Sequence, residues 1–540
     1  MWVLGINWKW HDGAAALVDG DGRIVALAEE ERFTGVKHAW DTYPTRAVQH
    51  CLAQAGITWR DLDHVAIGWD LPRLIPWQDE QRAELYTALF GPAAAHGPGP
   101  ELVFVEHHLA HAYSAFHASG FDSAGVLVVD GAGEDEAISI FAADRAGALT
   151  LKRHWPRAYS LGAMYDAATR LLGFGALGAG KTMGLAPYGN DSDSTVLAIG
   201  DLVEGPGARP GPPFDWPTEM HYNDFCEQWM SAMTDRFGEV TKPAEHLDAD
   251  PVAVRLAASA QRTVERAVRA LHAETVCATG SPAVCLAGGV ALNCVANGQL
   301  PEPVYIPPFP HDAGVALGAA WSISPPRRPA LLDSPYLGAG PRIGGEVDAL
   351  REAGFDVREL TPARVLDLLM DGGIGAIVEG RAEIGPRALG HRSIVAVPNP
   401  AGTRDRVNTL KGREQWRPLA PVTLPGHAPR LWPSQGMREL YMVGTATVGA
   451  YGREVMPALV HVDGTTRPQV VSGGKAPILE GVLAAMEEAG VPPVLMNTSF
   501  NGPGEPIVDS AADAVRAFTR LGLDFLVLGE HVAAKRGRQL

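Results

Sequence analysis

Apolar runs separated by turn-forming residues dominate the first thirty positions, and this pattern predicts short β-strands. Residues 3–6 form one apolar run, and runs at 14–18 and 24–28 follow it. The two later runs are joined by Asp-Gly-Asp-Gly at 19–22, which is a strong signal for a β-hairpin turn. The polar loop before the hairpin carries His11. The sequence therefore predicts a strand, a polar loop and a hairpin, in that order.

The same order of elements recurs further along the chain. An apolar run at 125–129 ends in DGAGE at 130–134, and strand-like runs at 137–142 and 149–152 follow. Two such units indicate an internal duplication. A duplicated α/β unit with a cleft between its halves is how the actin/Hsp70/sugar-kinase fold forms a nucleotide site. Strands that end in Asp-Gly also occur in other α/β proteins, so duplication is one of two interpretations.

Two helices are predicted with defined ends. Residues 45–55 lie between Pro44 and Gly56, which are residue types that favour a helix start and a helix stop. A longer helix opens at Asp250, a good N-cap, and apolar residues recur along 250–278 at helical spacing. One face of this longer helix is therefore expected to be buried.

Length, composition and charge narrow the class of protein. At 540 residues the chain exceeds one ordinary core, and dense proline and glycine between 325 and 345 place a boundary between domains at 1–335 and 336–540. The formal net charge of −17 disfavours nucleic acid as a partner. There is no apolar run of transmembrane length, no signal-peptide pattern and no CxxC pair, so we expect a cytoplasmic protein without a membrane partner.

A group of histidine and aspartate residues is a candidate metal site. His107 and His111 are four residues apart in a predicted helix, so both rings project from one face, whereas His108 is expected to face elsewhere. Asp130 and Asp312 add carboxylates. Two imidazoles with carboxylates suit a divalent ion such as Fe, Mn or Zn. In a chain with 18 histidines an HxxxH pair also arises by chance.

Glycine-rich segments are candidates for nucleotide binding. Gly288 and Gly289 follow a predicted strand at 283–286, where a backbone without side chains lets a ligand approach closely. The segment GAGKTMGLAPYG at 178–189 resembles a phosphate loop at first sight, but we disfavour a Walker A assignment. A glycine-rich turn that packs against the sheet is an equal alternative for this segment.

The most cationic stretches lie in the second predicted domain. Arginine and lysine, with serine and asparagine, stand among glycine and proline at 379–393, 411–418, 461–468 and 497–505. Guanidinium groups bind phosphate through paired hydrogen bonds, and short serine and asparagine side chains add donors. We therefore favour a pocket for a phosphate or an acyl phosphate over a solvated surface.

These segments together resemble the NodU/CmcH family of O-carbamoyltransferases, which includes antibiotic-tailoring enzymes. The resemblance covers nearly the whole chain and rests on nine motifs in order, GINWKWHDGAAALV, EERFTGVKH, EHHLAHAYSAF, VVDGAGE, GAGKTMGLAPYG, LAGGVALNC, GPRALGHRSI, LKGREQWRPLAPV and LMNTSFNGPGEPIV. It implies an N-terminal Kae1-like domain of the duplicated actin/Hsp70-type (ASKHA) fold and a C-terminal YrdC-like α/β domain. It also implies that carbamoyl phosphate and ATP form carbamoyl adenylate in the second domain, and that the first domain transfers the carbamoyl group to a hydroxyl.

The resemblance implies roles for individual residues. His11 matches the N-terminal active-site histidine, and we interpret it, beside Asp12, as the base for the acceptor hydroxyl. A hydrogen-bonded structural pair is the alternative. The implied metal ligands, for which Fe2+ is favoured over Mg2+ or Mn2+, are His107, His111, Asp130 and Asp312. The expected nucleotide-binding residues are Gly131, Lys181, Gly288, Gly289 and Asn293. The implied carbamoyl-phosphate residues are Arg387, Lys411, Arg417, Arg467, Ser499 and Asn501.

The acceptor is not defined by the sequence beyond a small natural product with a hydroxyl group, and the oligomeric state, including a homodimer, is left open. Residues 201–250 are a candidate lid or acceptor wall. Trp8 and Trp10 are expected to pack in the protein rather than line an acceptor pocket. For Lys37 two interpretations are equally favoured, a cation beside the acyl group and a solvated surface lysine. The alternatives in function are threonylcarbamoyl transfer to tRNA and a non-enzymatic actin/Hsp70-like nucleotide-binding module.

Overall fold

The computed structural model divides the chain into two compact units. The first unit comprises Met1–Glu30 and Ala39–Asp333, and the second comprises Glu31–His38 and Ser334–Leu540. Across the described ranges, no helix is both long and apolar enough to cross a membrane. The structure describes residues 1–95, 99–145, 149–189, 214–217, 220–328, 330–332, 334–535 and 537.

The first unit contains two five-stranded sheets with the same topology. Their strands are β1 (Trp2–Asn7), β2 (Ala14–Asp19), β3 (Ile24–Glu29), β4 (His64–Ile67), β5 (Glu101–Phe104), β6 (Ser123–Val129), β7 (Glu136–Asp144), β8 (Thr150–Pro156), β9 (Val284–Ala287) and β10 (Val304–Tyr305). The orders are β3-β2-β1-β4-β5 and β8-β7-β6-β9-β10. In each sheet the first strand pairs antiparallel with the second and parallel with the fourth. The internal duplication and the actin/Hsp70-type fold are thus confirmed.

The two helices with predicted ends are confirmed. The helices between residues 30 and 323 lie in the first unit, except that residues 31–34 of the first helix belong to the second. They are α1 (Glu30–Thr34), α2 (Thr45–Ala55), α3 (Leu71–Leu74), α4 (Asp79–Phe90), α5 (His107–Ser119), α6 (Leu161–Leu171), α7 (Ala179–Leu185), α8 (Tyr222–Phe237), α9 (Pro251–Thr279), α10 (Cys294–Gly298) and α11 (Ala313–Ile323). Helix α2 ends at Gly56, which has a left-handed conformation with φ of 67°. Helix α9 begins after Asp250, whose carboxylate accepts hydrogen bonds from the amides of Val252 and Ala253 at 2.9 and 3.1 Å.

Helix α11 packs very closely against β1 and α5 because glycine stands at both contacts. A Cβ atom at Gly318 would lie 1.7 Å from the carbonyl oxygen of Ala110 on α5. A Cβ atom at Gly5 on β1 would lie 1.8 Å from the carbonyl oxygen of Ala316. These approaches hold the N-terminus of α11, and Asp312 just before it, beside α5.

The second unit is a mixed α/β domain around an eight-stranded sheet of order β11-β20-β19-β12-β13-β18-β14-β17. Its strands are β11 (Asp356–Glu359), β12 (Gly375–Val378), β13 (Arg392–Ala396), β14 (Ala420–Thr423), β15 (Ala446–Thr447), β16 (Thr465–Thr466), β17 (Gln469–Val470), β18 (Val494–Ser499), β19 (Phe525–Leu528) and β20 (His531–Ala534). Its helices are α12 (Glu346–Glu352), α13 (Pro362–Met370), α14 (Thr403–Leu410), α15 (Ala428–Leu431), α16 (Ala450–Val455), α17 (Pro477–Glu488) and α18 (Ala511–Leu521).

A short segment from the N-terminal part of the chain, residues 31–38, belongs to the second unit. Arg32 in this segment is buried, and its guanidinium donates a hydrogen bond of 2.7 Å to the carbonyl oxygen of Gly385. The sequence pattern carried no sign of this exchange, because the contact joins residues more than three hundred positions apart.

We expect Gly318→Ala to destabilise the first unit, because its methyl group would overlap the Ala110 carbonyl oxygen. The free energy of unfolding should fall by on the order of 3 kcal/mol. Gly180→Ala is the matched control, since a Cβ atom at Gly180 meets nothing within 4 Å. Calorimetry of the two variants tests this packing, and equal melting temperatures would contradict it.

Candidate metal centre and cationic cluster

His107 and His111 lie one turn apart on α5 and direct their Nε2 atoms toward a common point. Both side chains are buried, and the two Nε2 atoms are 3.2 Å apart. The Nδ1 atom of His107 is 3.0 Å from the carbonyl oxygen of Gly68. This carbonyl can only accept, so Nδ1 carries a proton and Nε2 is the ring atom available to a metal ion, as in metal-binding histidines.

Two carboxylates face the same point from the ends of other elements. Asp130 follows β6, and its Oδ2 lies 3.2 Å from His107 Nε2 and 3.3 Å from His111 Nε2. Asp312 precedes α11, and its Oδ1 lies 3.6 Å from both Nε2 atoms. The amide of Gly289 donates to Asp130 Oδ1 at 2.9 Å, which turns Oδ2 toward the imidazoles. We call these four side chains the His/Asp cluster.

The His/Asp cluster has the dimensions and charge of a divalent metal site. Ligand atoms about 2.0–2.2 Å from a tetrahedral metal ion lie about 3.3–3.6 Å from one another. The separations that involve a histidine Nε2 atom are 3.2–3.6 Å, and all four ligand atoms lie within 4.8 Å of one another. Burial lowers the pKa of His107, but the carboxylates of Asp312 and Asp130 outweigh burial and raise it well above its usual range. The cluster thus favours positive charge at its centre, and nitrogen with oxygen ligands suits Fe, Mn or Zn.

Side chains that sequence analysis missed support the ligand His107. Buried Glu134 accepts hydrogen bonds from the amide of His107, at 3.1 Å to both carboxylate oxygens, and from the amide of Asp70 at 2.8 Å. The indole of Trp69 stacks on the His107 ring with centroids 3.6 Å apart, and its Nε1 donates to Asn7 Oδ1 at 3.1 Å. These contacts join distant parts of the chain, so the sequence did not reveal them, although Glu134 and Asn7 lie in the VVDGAGE and GINWKWHDGAAALV motifs.

His11 and Asp12 lie in the loop between β1 and β2, next to the His/Asp cluster. The side-chain amide of Asn7 donates to the backbone carbonyls of both residues at 3.1 Å. His11 Nδ1 is 3.0 Å from Asp12 Oδ2 and 3.9 Å from Asp312 Oδ2. Burial lowers the pKa of His11, but the surrounding carboxylates, Asp312 foremost, raise it to about 9. A histidine held by a carboxylate at this position suits proton transfer at a reacting group.

Most of the predicted nucleotide-binding residues meet at the carboxyl ends of β6 and β9. Gly131 follows Asp130 after β6, and Gly288 follows β9. Gly288 has φ of 89°, and a Cβ atom there would lie 2.2 Å from the carbonyl oxygen of Val129, so the position requires glycine. Asn293 caps α10, where its side chain accepts from the Ala296 amide at 3.0 Å.

Lys181 lies on a separate element, α7, with its ammonium group 5.3 Å from the centroid of the Phe174 ring. Residues 175–182 do fit the pattern GxxxxGK[ST], but a phosphate loop connects a strand to a helix. Here the segment connects α6 to α7, and the hydroxyl of buried Thr182 is 2.8 Å from that of Thr169. The structure therefore favours the glycine-rich turn.

In the second unit, Lys411, Ser499 and Asn501 come together at the end of β18. The Lys411 ammonium donates to the backbone carbonyls of Ser499 and Asn501, the latter at 3.0 Å, and to Asn501 Oδ1 at 3.0 Å. The Ser499 hydroxyl is 2.7 Å from Asn501 Oδ1. Lysine, hydroxyl and amide groups are thereby fixed in one place.

Further cations lie within electrostatic range of Lys411. Burial holds the pKa of Lys411 well below its usual range, and Arg413, Arg417 and Lys37 lower it further. Burial, Arg417 and Arg467 likewise lower the pKa of Arg413. Like charges held this close repel one another until an anion neutralises them. We call these five residues the cationic cluster, and its charge suits a phosphate group.

The structure refines the expectations for this unit. Arg413 was missed although it lies in the quoted KGREQWRP segment, and Lys37 joins the cationic cluster because residues 31–38 belong to this unit. One carboxylate, Glu414, is 3.3 Å from Arg417. Arg387 is half-buried in the loop before β13. Much of the candidate lid at 201–250, namely 201–213 and 218–219, lies outside the described residues.

Comparison with known proteins decides the family. Residues 2–75 and 94–321 match the family described as carbamoyltransferase N-terminus. Residues 366–535 match the carbamoyltransferase C-terminus. The chain belongs to the carbamoyltransferase family. This membership confirms the expectation, made from the motifs, that the protein is an enzyme that transfers carbamoyl groups.

Relatives of this carbamoyltransferase align with nearly its whole length. It is 34% identical to nodulation protein NolNO of Sinorhizobium fredii, over 98% of this chain and 80% of that protein. It is 33% identical to the uncharacterized protein sll1178 of Synechocystis, over 99% and 96%. Nodulation protein U of Sinorhizobium fredii is 30% identical over 95% and 96%. The solved structure of HypF from T. kodakarensis aligns with 59% of this chain and 47% of the HypF chain at 13% identity, with a TM-score of 0.35. A score this low supports no conclusion about this chain.

We expect His111→Asn to remove a divalent ion from the purified carbamoyltransferase, because the remaining side chains cannot complete the site. Metal content measured by mass spectrometry after equal loading with Fe2+, Mn2+ or Zn2+ should fall at least about tenfold. His108→Asn is the matched control, since His108 Nδ1 is 2.8 Å from the Ser139 hydroxyl instead. Equal metal content in the two variants would contradict the assignment.

Proposed function

We propose that this protein is an ATP-dependent O-carbamoyltransferase that makes carbamoyl adenylate and passes the carbamoyl group to a hydroxyl of a small molecule. The observation that carries the proposal is the presence, in one carbamoyltransferase chain, of two complementary sites. The His/Asp cluster with His11 favours positive charge, and the cationic cluster favours an anion. We assign the activation step to a YrdC-like domain at 336–540 and the transfer step to a Kae1-like domain at 1–335.

The cationic cluster would carry out the first step. Carbamoyl phosphate is a labile dianion, which Lys411, Arg413 and Arg467 can neutralise while Ser499 and Asn501 supply short hydrogen-bonding groups. Atom balance requires one water, which cleaves carbamoyl phosphate to carbamate and phosphate. A carbamate oxygen then attacks the α-phosphorus of ATP and displaces pyrophosphate. An enclosed site would protect both labile species from side reactions with bulk water.

The His11 loop would carry out the second step. The acceptor hydroxyl gives its proton to His11, which Asp12 orients, as its oxygen attacks the carbamoyl carbon and AMP departs. The adenylate would lie at the carboxyl ends of β6 and β9, beside the glycines at 131, 288 and 289. A divalent ion held by the His/Asp cluster would supply a Lewis acid that neutralises charge on the departing phosphate. Positive charge there would also lower the pKa of His11 toward the range in which an imidazole accepts a proton.

The alternatives fit less well. Threonylcarbamoyl transfer to tRNA needs a basic surface for RNA, and the net charge of −17 points the other way. A non-enzymatic nucleotide-binding module leaves the cationic cluster without a role. We propose the cytoplasm as the compartment, since ATP and carbamoyl phosphate are both available there.

The first test measures pyrophosphate release from ATP with and without carbamoyl phosphate. Carbamoyl phosphate should stimulate release, and Lys411→Met should abolish the stimulation because the anion loses its central cation. Lys535→Met is the matched control, since Lys535 donates to the Gly522 carbonyl at 2.6 Å at an exposed site. The proposal would be excluded if carbamoyl phosphate did not change the rate of pyrophosphate release in the presence of Fe2+, Mn2+ or Mg2+.

The second test separates the two steps. We expect His11→Asn to keep pyrophosphate release stimulated by carbamoyl phosphate and to lose transfer to a hydroxyl acceptor by about a hundredfold or more. His64→Asn, a histidine on β4 that lies 3.4 Å from Glu101, is the control and should keep both activities. Full transfer by His11→Asn would show that another group takes the proton.

A further inference from the structure

Two large indoles near His11 stay exposed to solvent, and the proposed chemistry gives them no role. Trp10, which precedes His11, is 39% exposed, and Trp40 is 47% exposed. Trp8, in contrast, is buried and stacks on Tyr43 with centroids 4.5 Å apart, so it packs as the sequence predicted. Tryptophan side chains are highly buried on average, and two exposed indoles beside a candidate base therefore indicate a surface for a ligand.

The exposed indoles are connected to the reacting groups by direct ring contacts. Trp10 lies against Trp69 with ring centroids 4.3 Å apart, and Trp69 stacks on His107 of the His/Asp cluster at 3.6 Å. Trp40 meets the His11 ring edge-on, with centroids 5.4 Å apart. A ring that rests on Trp40 would thus lie close to His11.

The backbone holds both indoles in place by strained conformations. The amide of Asp41 donates to the carbonyl oxygen of Trp10 at 2.9 Å, which ties the two loops together. Each tryptophan lies between two non-glycine residues with positive φ, a conformation that persists only where the surroundings enforce it and that clusters at ligand sites. These residues and their φ angles are Lys9 (112°), Asp12 (51°), Ala39 (39°) and Asp41 (46°).

We infer that Trp10 and Trp40 form the acceptor platform, and that the acceptor is a ring-containing alcohol whose ring face stacks on the indoles while a hydroxyl on the ring, or on a methylene attached to it, meets His11. This inference rests on the proposed transfer to a hydroxyl. In the step, the acceptor oxygen bonds to the carbamoyl carbon, the bond from that carbon to the AMP oxygen breaks, and His11 takes the hydroxyl proton. Flat aromatic faces bind rings by stacking, whereas an open chain gains far less from two rigid indoles.

Polar groups around the indoles suit a hydroxylated ring. Lys9 is partly exposed, Asp41 is exposed, and the Thr42 hydroxyl donates to the carbonyl of Trp40 at 2.9 Å. A ring with several hydroxyls can hydrogen-bond to such groups while one face stays on the indoles. A saturated polyhydroxylated ring and an aromatic alcohol share the stacking chemistry, and the experiment separates them.

The test measures carbamoyl transfer to methyl glucoside, to benzyl alcohol and to the open-chain polyol glycerol, with pyrophosphate release recorded in the same samples. Cyclic probes should be carbamoylated at least tenfold more efficiently than glycerol. In Trp10→Ala and Trp40→Ala the KM for the preferred cyclic probe should rise at least tenfold, and Trp10→Phe and Trp40→Phe should restore most of the affinity. Preference for the glucoside or for benzyl alcohol identifies which kind of ring the platform takes.

Trp59→Ala is the matched control, because Trp59 stacks on Phe90 and should leave all three probes unaffected. Stimulated pyrophosphate release with no preference for cyclic probes, or with KM unchanged within twofold in both alanine variants, would overturn the platform. Absence of stimulated pyrophosphate release in the unaltered protein would instead overturn the function on which the inference rests. The two failures are therefore distinguishable.

Discussion

The close approach of α11 to α5 is the contact on which the first unit depends. Gly318 permits it, because any side chain at this position would collide with the Ala110 carbonyl. As a consequence Asp312, from late in the unit, lies within 3.6 Å of the imidazole nitrogens of His107 and His111. Four ligands thus come from three separate elements, and the packing of two backbones sets their spacing. The absence of a side chain at Gly318 thus determines where the ligands lie.

The two units hold charge in opposite ways. In the first, buried carboxylates surround imidazoles and raise the pKa of His107, so a cation completes the arrangement. In the second, burial and neighbouring cations lower the pKa of Lys411, so an anion completes it. Buried like charges destabilise a folded protein unless something compensates them. The cationic cluster therefore costs stability in the empty protein, and a bound anion would relieve its repulsion.

Local signals were sufficient for much of the fold and for part of the site. Turn residues and end signals predicted the hairpins, α2 and α9, and helical spacing predicted that His107 and His111 share a face. Residue type made Asp130 and Asp312 candidate ligands and the resemblance supported them, because no periodicity links a strand end to a distant helix start. Glu134, Trp69 and Asn7 were missed for the same reason. The phosphate-loop motif at 175–182 is misleading by itself, because a phosphate loop follows a strand and this segment follows a helix.

The membership of residues 31–38 in the second unit has a consequence for how the chain can be divided. A fragment that starts at Ser334 would lack Arg32, whose guanidinium binds the Gly385 carbonyl, and Lys37, one of the charges near Lys411. The two units are therefore not consecutive segments of the chain. Recombination between relatives that exchanged only residues after 334 would combine residues 31–38 of one protein with the rest of the second unit from another. Because the second unit draws on both parts of the sequence, we expect the two parts to be inherited together.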